Sequence, residues 1–138
     1  MAKLIYLYIK NIDRKIIEQD INFSTDFKVS FMNSELKIKK SAHNVMNDFW
    51  GNKIENITLL IGKNGVGKTS ILDLIGSNEK TRRYNFEKGQ YFLIYHLYDD
   101  CYYFQGTMSK DIYNLKDHYG KRESFFFKTT TEKHIYKK

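Results

Sequence analysis

The spacing of hydrophobic and polar residues changes along the chain, and each change marks a predicted element. The uninterrupted apolar run Leu4–Ile9 is typical of a strand buried on both faces. From residue 21 to residue 31 apolar and polar residues alternate, which predicts a half-buried strand. A turn follows at 32–35 and the alternation resumes after it, so residues 27–40 are predicted to form a hairpin.

A glycine-rich turn lies between two apolar segments in the middle of the chain. Residues 54–61 end in a continuous apolar run with β-branched members, which predicts a central strand. After the turn, the apolar residues of 70–75 fall on one helical face, and Gly76 is a candidate C-cap. Neither period is present in 41–53, which we interpret as a loop, and the polar stretch 77–90 is predicted to be a surface loop.

The last third of the chain predicts a second hairpin, a short helix and a final strand. Tyr91–Tyr98 and Cys101–Gln105 flank a turn at 99–100. The spacing of apolar residues in 109–119 favours a short helix, and 123–138 combines an aromatic β-like core with a basic terminus. No internal repeat or low-complexity linker interrupts this pattern.

Composition limits the class of protein. A length of 138 residues allows one domain, and the hydrophobic fraction of 41% is sufficient for a core. No apolar run is long enough for a membrane span, and the single cysteine excludes an internal disulfide, so we expect a cytoplasmic protein without a membrane partner. The formal charge of +7 indicates a phosphate-rich partner such as nucleic acid, or else only a lysine-rich composition. The four histidines show no metal-ligand spacing.

Residues 62–69 read GKNGVGKT and fill every fixed position of the phosphate-binding motif G-x-x-x-x-G-K-[ST]. The motif lies between the predicted strand and the predicted helix, which is the context it requires. Glycines let the backbone N–H groups curl around a phosphate, and a helix N-terminus favours the negative charge. The predicted nucleotide-binding residues are Gly62, Lys63, Asn64, Gly65, Val66, Gly67, Lys68, Thr69 and Ser70.

Three of these residues have side-chain roles. Lys68 is expected to reach the β- and γ-phosphates of ATP and is the candidate catalytic residue. The hydroxyl of Thr69 is the candidate ligand of Mg²⁺, and Ser70 adds a hydroxyl toward the α-phosphate.

The segment IGKNGVGKTSILDLI resembles the Walker A region of ABC-type ATPases related to SMC, RecF and the double-strand-break repair ATPases. Asn64 matches the asparagine of that family's loop, and Leu7–Asn11 matches its first strand, L-x-I-x-N. The chain as a whole is similar to the amino-terminal part of bacterial AAA/ABC-like ATPases. The resemblance implies an α/β P-loop NTPase fold in which antiparallel strands precede Walker A, with 1–138 forming a single amino-terminal portion of an incomplete nucleotide-binding domain.

The resemblance also implies a function. Such ATPases bind ATP, hydrolyse it with Walker B and signature motifs, and form nucleotide-dependent dimers in DNA repair or anti-phage defence. Those two motifs are missing here, so the chain alone is expected to be inactive or very weak until a homodimer partner or the rest of the ATPase supplies them. In that family a glutamine contacts Mg²⁺ and the attacking water, and Gln105 is the candidate for this role. Otherwise Gln105 is a polar residue at the end of a strand. Its basic residue after the first strand corresponds to Arg14, which is otherwise a solvated arginine.

Two other functions remain open from the sequence. The chain is a self-contained small kinase or GTPase if Asp99 or Asp100 acts as the Walker B acid, although a hairpin turn is the better interpretation of that pair. It is a nucleic-acid-binding module regulated by nucleotide if its basic segments grip a backbone. The candidate segments are the tail 128–138 and a basic loop with interleaved aromatic residues, which are otherwise solvated. The residues of that loop are Lys80, Arg82, Arg83, Tyr84, Phe86 and Lys88.

Overall fold

The structure is a computed structural model, and it describes residues 2–13, 16–40, 68–115, 123–129 and 135–136. Strands predominate among these residues, with two short helices and one 3₁₀ turn. In chain order the elements are β1 (Lys3–Ile12), β2 (Ile16–Asn22), β3 (Phe27–Met32), β4 (Glu35–Lys40), α1 (Lys68–Gly76), α2 (Glu79–Asn85), β5 (Gln90–Tyr98), β6 (Cys101–Gly106), the 3₁₀ turn (Ser109–Asp111), β7 (Ser124–Thr129) and β8 (Ile135–Tyr136).

The described strands form a six-stranded sheet in the order β2-β1-β5-β6-β7-β8 and a separate two-stranded sheet, β3-β4. Every pairing among them is antiparallel. The prediction of an α/β P-loop NTPase fold is therefore wrong, because the described part of the chain is mostly antiparallel β-sheet with only two short helices. The strand predicted at 54–61 and the motif residues 62–67 lie outside the described residues.

The physical reason for this correction lies in the connections. Two-residue turns at 33–34 and 99–100 join β3 to β4 and β5 to β6. Only antiparallel strands can be joined by so short a turn, since parallel strands need a crossover of about a dozen residues or more. The eight-residue motif had indicated the α/β class by analogy, whereas the turns and alternating strands around it determine an antiparallel sheet.

Both hairpins predicted from the sequence are confirmed. β3 and β4 pair from Phe27↔Lys40 to Met32↔Glu35, with Asn33 and Ser34 between them at φ 54° and 64°. Two consecutive positive φ angles are typical of the turns that match the twist of hairpin strands.

The six-stranded sheet is covered on both faces. One face packs against the β3–β4 hairpin through a cluster that includes Val29 and Leu36. The other face packs against α1 through Ile71 and Leu74. β1 lies between β2 and β5 in this sheet and contributes buried residues to both clusters, which confirms the prediction that its apolar run is buried on both sides.

Two asparagine side chains form hydrogen bonds to the two outer edges of the β3–β4 hairpin. The amide of Asn22 accepts a hydrogen bond from Val29 N at 2.9 Å and donates one to Val29 O at 3.0 Å. On the opposite edge, Asn114 accepts from Leu36 N at 3.0 Å and donates to Leu36 O at 2.8 Å. Each amide pairs with the backbone as a neighbouring strand would, so the hairpin is fixed to the body at both edges.

The prediction of a surface loop over 77–90 is wrong, because Glu79–Asn85 forms α2. Asn78 caps the helix by accepting a hydrogen bond from Thr81 N at 2.8 Å. The loop was expected because the stretch is polar and basic, and a helix of seven residues is too short to show an apolar stripe. The helix predicted over 109–119 is a 3₁₀ turn at Ser109–Asp111, and residues 116–119 lie outside the described part.

Two tyrosines lie in the core between the six-stranded sheet and the β3–β4 hairpin, and they make the stability of the protein depend on pH in the alkaline range. Burial, and then a hydrogen bond donated to Asp20 Oδ2 at 2.7 Å, raise the pKa of the Tyr6 hydroxyl far above its ordinary value. Burial also raises the pKa of Tyr102 to about 12. The folded protein therefore holds both protons at a pH where the unfolded chain releases them.

We expect the free energy of unfolding to fall as the pH rises above about 10, the ordinary tyrosine pKa. The contribution of Tyr102 is complete below that pH and is lost progressively toward its folded pKa of about 12. For each tyrosine the loss is on the order of 1 kcal/mol for each pH unit between its unfolded and its folded pKa. Urea titrations across this range, with phenolate absorbance recorded in parallel, measure the effect. Tyr102→Phe should reduce the slope, and a stability that does not change with alkaline pH would contradict the prediction.

Candidate functional site

The helix predicted after the glycine-rich motif is present, and it begins at the motif lysine. α1 runs from Lys68 to Gly76, so Lys68, Thr69 and Ser70 form its first turn. The helix ends at Gly76, as predicted. The other predicted nucleotide-binding residues, 62–67, and the candidate Arg14 lie outside the described residues.

α1 is seated on the sheet by its apolar face. Ile71 and Leu74 are buried, and they pack with β1 and β5 residues such as Ile9 and Leu93. Leu72 is 52% exposed, so the buried face is narrower than the sequence pattern indicated. The first turn of α1 contains no acidic residue. The backbone N–H groups of a helix's first turn have no partner within the helix and carry partial positive charge, so this end of α1 is suited to an anion.

The opposite end of α1 is held by a buried arginine from α2. Arg82 is 3% exposed, and its Nε donates to Leu74 O at 2.7 Å while its Nη2 donates to Ser77 O at 2.6 Å. Its Nη1 donates to Gln105 Oε1 at 2.9 Å. α1 has no basic residue of its own in its last turn. Arg82 therefore supplies the positive charge that stabilises the negative end of the helix dipole.

Gln105 is fully buried on β6, one residue before the strand ends. Because an arginine side chain can only donate hydrogen bonds, the oxygen of Gln105 faces Arg82 and its Nε2 points elsewhere. Nε2 of Gln105 and the hydroxyl of Tyr91 are both buried, and among the described residues neither forms a well-aligned hydrogen bond. Burial raises the pKa of Tyr91, while Gln105 and Arg82 act in the opposite direction.

The hydrogen bonds of Gln105 bear on its two interpretations, which are a residue that contacts Mg²⁺ and a polar residue at a strand end. A glutamine that serves Mg²⁺ offers its carbonyl oxygen, the hard ligand that this cation prefers. In Gln105 that oxygen already accepts a hydrogen bond from Arg82 in the interior of the protein. The structure therefore favours a polar residue of the strand end that orients Arg82.

Around Arg82, further polar contacts attach α2 to the sheet. Glu79 Oε1 accepts a hydrogen bond from the Tyr103 hydroxyl at 2.9 Å, and its Oε2 lies 3.4 Å from Arg83 Nη2. Arg83 also approaches Glu123 at 4.0 Å. Of the basic residues considered as a nucleic-acid grip, Arg82 is therefore buried and Arg83 is paired with carboxylates, so the two arginines are not free for a phosphate backbone.

From the sequence, Arg82 was expected to be exposed, either in a nucleic-acid grip or as a solvated arginine. The residues next to it give no sign that it is buried. Two signals point to it in hindsight. Asn78 is a strong N-cap residue, which indicates a helix over the following residues. α1 ends without a basic side chain, so its terminal carbonyls need a donor from another element.

The candidate Walker B acids form the turn of the β5–β6 hairpin, which confirms the predicted turn. Asp99 has φ 45°, and its carbonyl oxygen lies 3.0 Å from His96 Nε2. Asp100 Oδ1 lies 3.3 Å from Lys40 Nζ. No group of three or more His, Cys, Asp or Glu side chains suited to a metal ion is found within the described ranges.

None of the helices in the described part of the chain is long and apolar enough to cross a membrane. Comparison of the chain with protein-family models, with curated proteins and with solved structures finds no match. A functional assignment therefore depends on the residues of the chain and on the geometry given above.

Proposed function

We propose that this chain binds ATP with Mg²⁺ through residues 62–70. The observation that carries the proposal is the coincidence of a complete G-x-x-x-x-G-K-[ST] motif with a helix that starts at its lysine, Lys68. In such sites the backbone amides of the glycine-rich loop and of the helix N-terminus surround the phosphates.

The residues present fit a magnesium nucleotide. α1 has no acidic residue in its first turn to repel or replace a phosphate. Lys68 provides a point charge for the β- and γ-phosphates, and Thr69 provides one hydroxyl for Mg²⁺. One protein oxygen is sufficient, because Mg²⁺ at such sites takes its remaining ligands from the phosphates and from water.

The antiparallel sheet does not conflict with this proposal. Phosphate binding depends on free backbone amides and on a fixed helix. It does not depend on the direction of the neighbouring strands. α1 is fixed by Ile71 and Leu74 on the sheet and by Arg82 at its last carbonyls. Its N-terminus is thereby held before a ligand arrives, which lowers the entropy that binding costs.

Hydrolysis is a separate step and needs a carboxylate to hold Mg²⁺ or activate water. In the described part of the chain, Asp100 is engaged with Lys40, and no acidic cluster is found. We therefore propose that the chain binds nucleotide with little turnover, and that further ATPase motifs outside it complete the reaction in a nucleotide-dependent dimer.

The test is a titration of the chain with ATP in the presence of Mg²⁺, followed by calorimetry. We expect Lys68→Ala to weaken binding at least tenfold, which corresponds to about 1.4 kcal/mol. Lys80→Ala, which removes an exposed lysine from the neighbouring helix α2, is the matched control and should bind as the unchanged chain does. Absence of binding by the unchanged chain, or equal affinity of Lys68→Ala, would refute the proposal.

A hydrolysis assay separates this proposal from a self-contained enzyme. We expect very slow release of phosphate from the isolated chain. Robust turnover that is abolished by Asp99→Asn or Asp100→Asn would show that the turn supplies the Walker B acid, and the incomplete-site proposal would then be wrong.

A further inference from the structure

The outward face of the β3–β4 hairpin is basic along its length. Because residues directly opposite in an antiparallel pair share a face, the register places Lys28 beside Lys39 and Ser30 beside Lys37. The three lysines are exposed and Ser30 is half-buried. We call this surface of Lys28, Ser30, Lys37 and Lys39 the lysine ribbon.

The arrangement of charge on the lysine ribbon is unfavourable for the isolated protein. Like charges directly opposite in a sheet destabilise it, and Lys28 faces Lys39 in this way. Glu35 lies on the same face beside the turn, where its Oε1 is 4.0 Å from Lys37 Nζ. Among the described residues neither Lys28 nor Lys39 forms an ion pair, so this end of the ribbon has uncompensated positive charge.

The ribbon is held on a fixed backbone. Its inward side is buried by Val29, Leu36 and Ile38, and the Asn22 and Asn114 amides hold the two edges. The three lysine side chains of the ribbon are exposed on this backbone. A partner that binds here orders few additional groups, which favours affinity.

We propose that the lysine ribbon binds the sugar–phosphate backbone of nucleic acid. Residues two apart on a strand are separated by about 6.6 Å. Lys37 and Lys39 therefore place two positive charges in a row along β4, and Lys28 contributes a third charge beside them. The Ser30 hydroxyl is a further phosphate donor of the kind common at such interfaces.

The composition of the face favours nucleic acid over an anionic membrane. Surfaces that bind lipid combine basic residues with large apolar side chains that enter the bilayer. Between the lysines of the ribbon the face presents only Ser30, and the exposed Met32 lies at the turn beside Glu35. No aromatic side chain of the described hairpin stands among these lysines to stack on a base, so binding should be independent of sequence.

The experiment measures binding of the full chain to a fluorescently labelled DNA duplex of random sequence by anisotropy at several salt concentrations. The ribbon variant combines Lys28→Gln, Lys37→Gln and Lys39→Gln. We expect it to lose at least tenfold in affinity at low salt. The slope of log K against log salt should become shallower by up to about 0.9 for each phosphate contact removed, about 2.7 in all.

A matched control removes the same charge elsewhere. Lys80→Gln, Lys88→Gln and Lys110→Gln alter three exposed lysines outside the hairpin, and this variant should keep most of the affinity and the slope. The proposal is overturned if the unchanged chain does not bind the duplex, if the control loses as much as the ribbon variant, or if the ribbon variant binds normally. It is also overturned if the ribbon supports binding to phosphatidylserine vesicles and not to the duplex. Lys68→Ala should bind the duplex normally, so failure of the nucleotide proposal is distinguishable from failure of this one.

Discussion

Arg82→Gln is expected to lower the free energy of unfolding by about 3 kcal/mol. Three acceptors lose the guanidinium donor: the buried Leu74 O and Gln105 Oε1, and the partly buried Ser77 O. Each buried polar group left without a partner costs about 1–3 kcal/mol. Removal of a buried cation offsets part of this loss, since burial of a charge is itself unfavourable. The net loss is large for a domain of this size.

Urea denaturation followed by circular dichroism measures this effect, and the adjacent residue provides the control. Arg83→Gln changes the same side chain on the same helix, but Arg83 is exposed and its contacts to Glu79 and Glu123 are 3.4 and 4.0 Å long. Exposed pairs of this kind contribute about 1 kcal/mol or less. Equal losses in the two variants would show that Arg82 does not hold α1.

Gly106→Ala is expected to cost about 3 kcal/mol or more, the upper part of the range for overpacked sites. Gly106 lies on β6 opposite Phe92 of β5. A Cβ at this position would stand 2.5 Å from the Phe92 Cα and would also collide with the carbonyl oxygen of Tyr91. Both contacts are with backbone, so relief requires the centre of the sheet to separate.

The same substitution at Gly76 is the control for this prediction. Gly76 is the last residue of α1, its φ is not in the left-handed region, and an added Cβ meets nothing within 4 Å. Gly76→Ala should therefore raise the free energy of unfolding by about 0.5–1 kcal/mol, because alanine loses less backbone entropy in a helix. A Gly106→Ala variant that unfolds at the same urea concentration as the unchanged chain would contradict the predicted clash.

The parts of the fold that could be predicted from the sequence are those determined by residues close together along the chain. The alternation of Phe27 to Lys40 and the turn between its halves are local, and the hairpin was predicted and found. The same holds for the β5–β6 hairpin and for α1, whose apolar spacing is contained in nine residues.

The parts that the sequence did not predict depend on contacts between distant segments. Arg82 is buried because β6 brings Gln105, 23 positions away, beneath α2. No periodicity in 77–90 carries that information. The fold class was wrong for a different reason, because an eight-residue phosphate motif describes a local binding loop and does not determine the direction of the strands around it.

The asparagine amides that hold the hairpin have a consequence for association between molecules. A two-stranded hairpin normally presents two lines of free backbone groups to which another chain can add a strand. At Val29 and Leu36 those groups already bond to Asn22 and Asn114. An incoming strand would have to displace two hydrogen bonds on either side before it could pair. The hairpin is thus protected against intermolecular β-addition and aggregation by two side chains, without the proline or bulge that often serves this purpose.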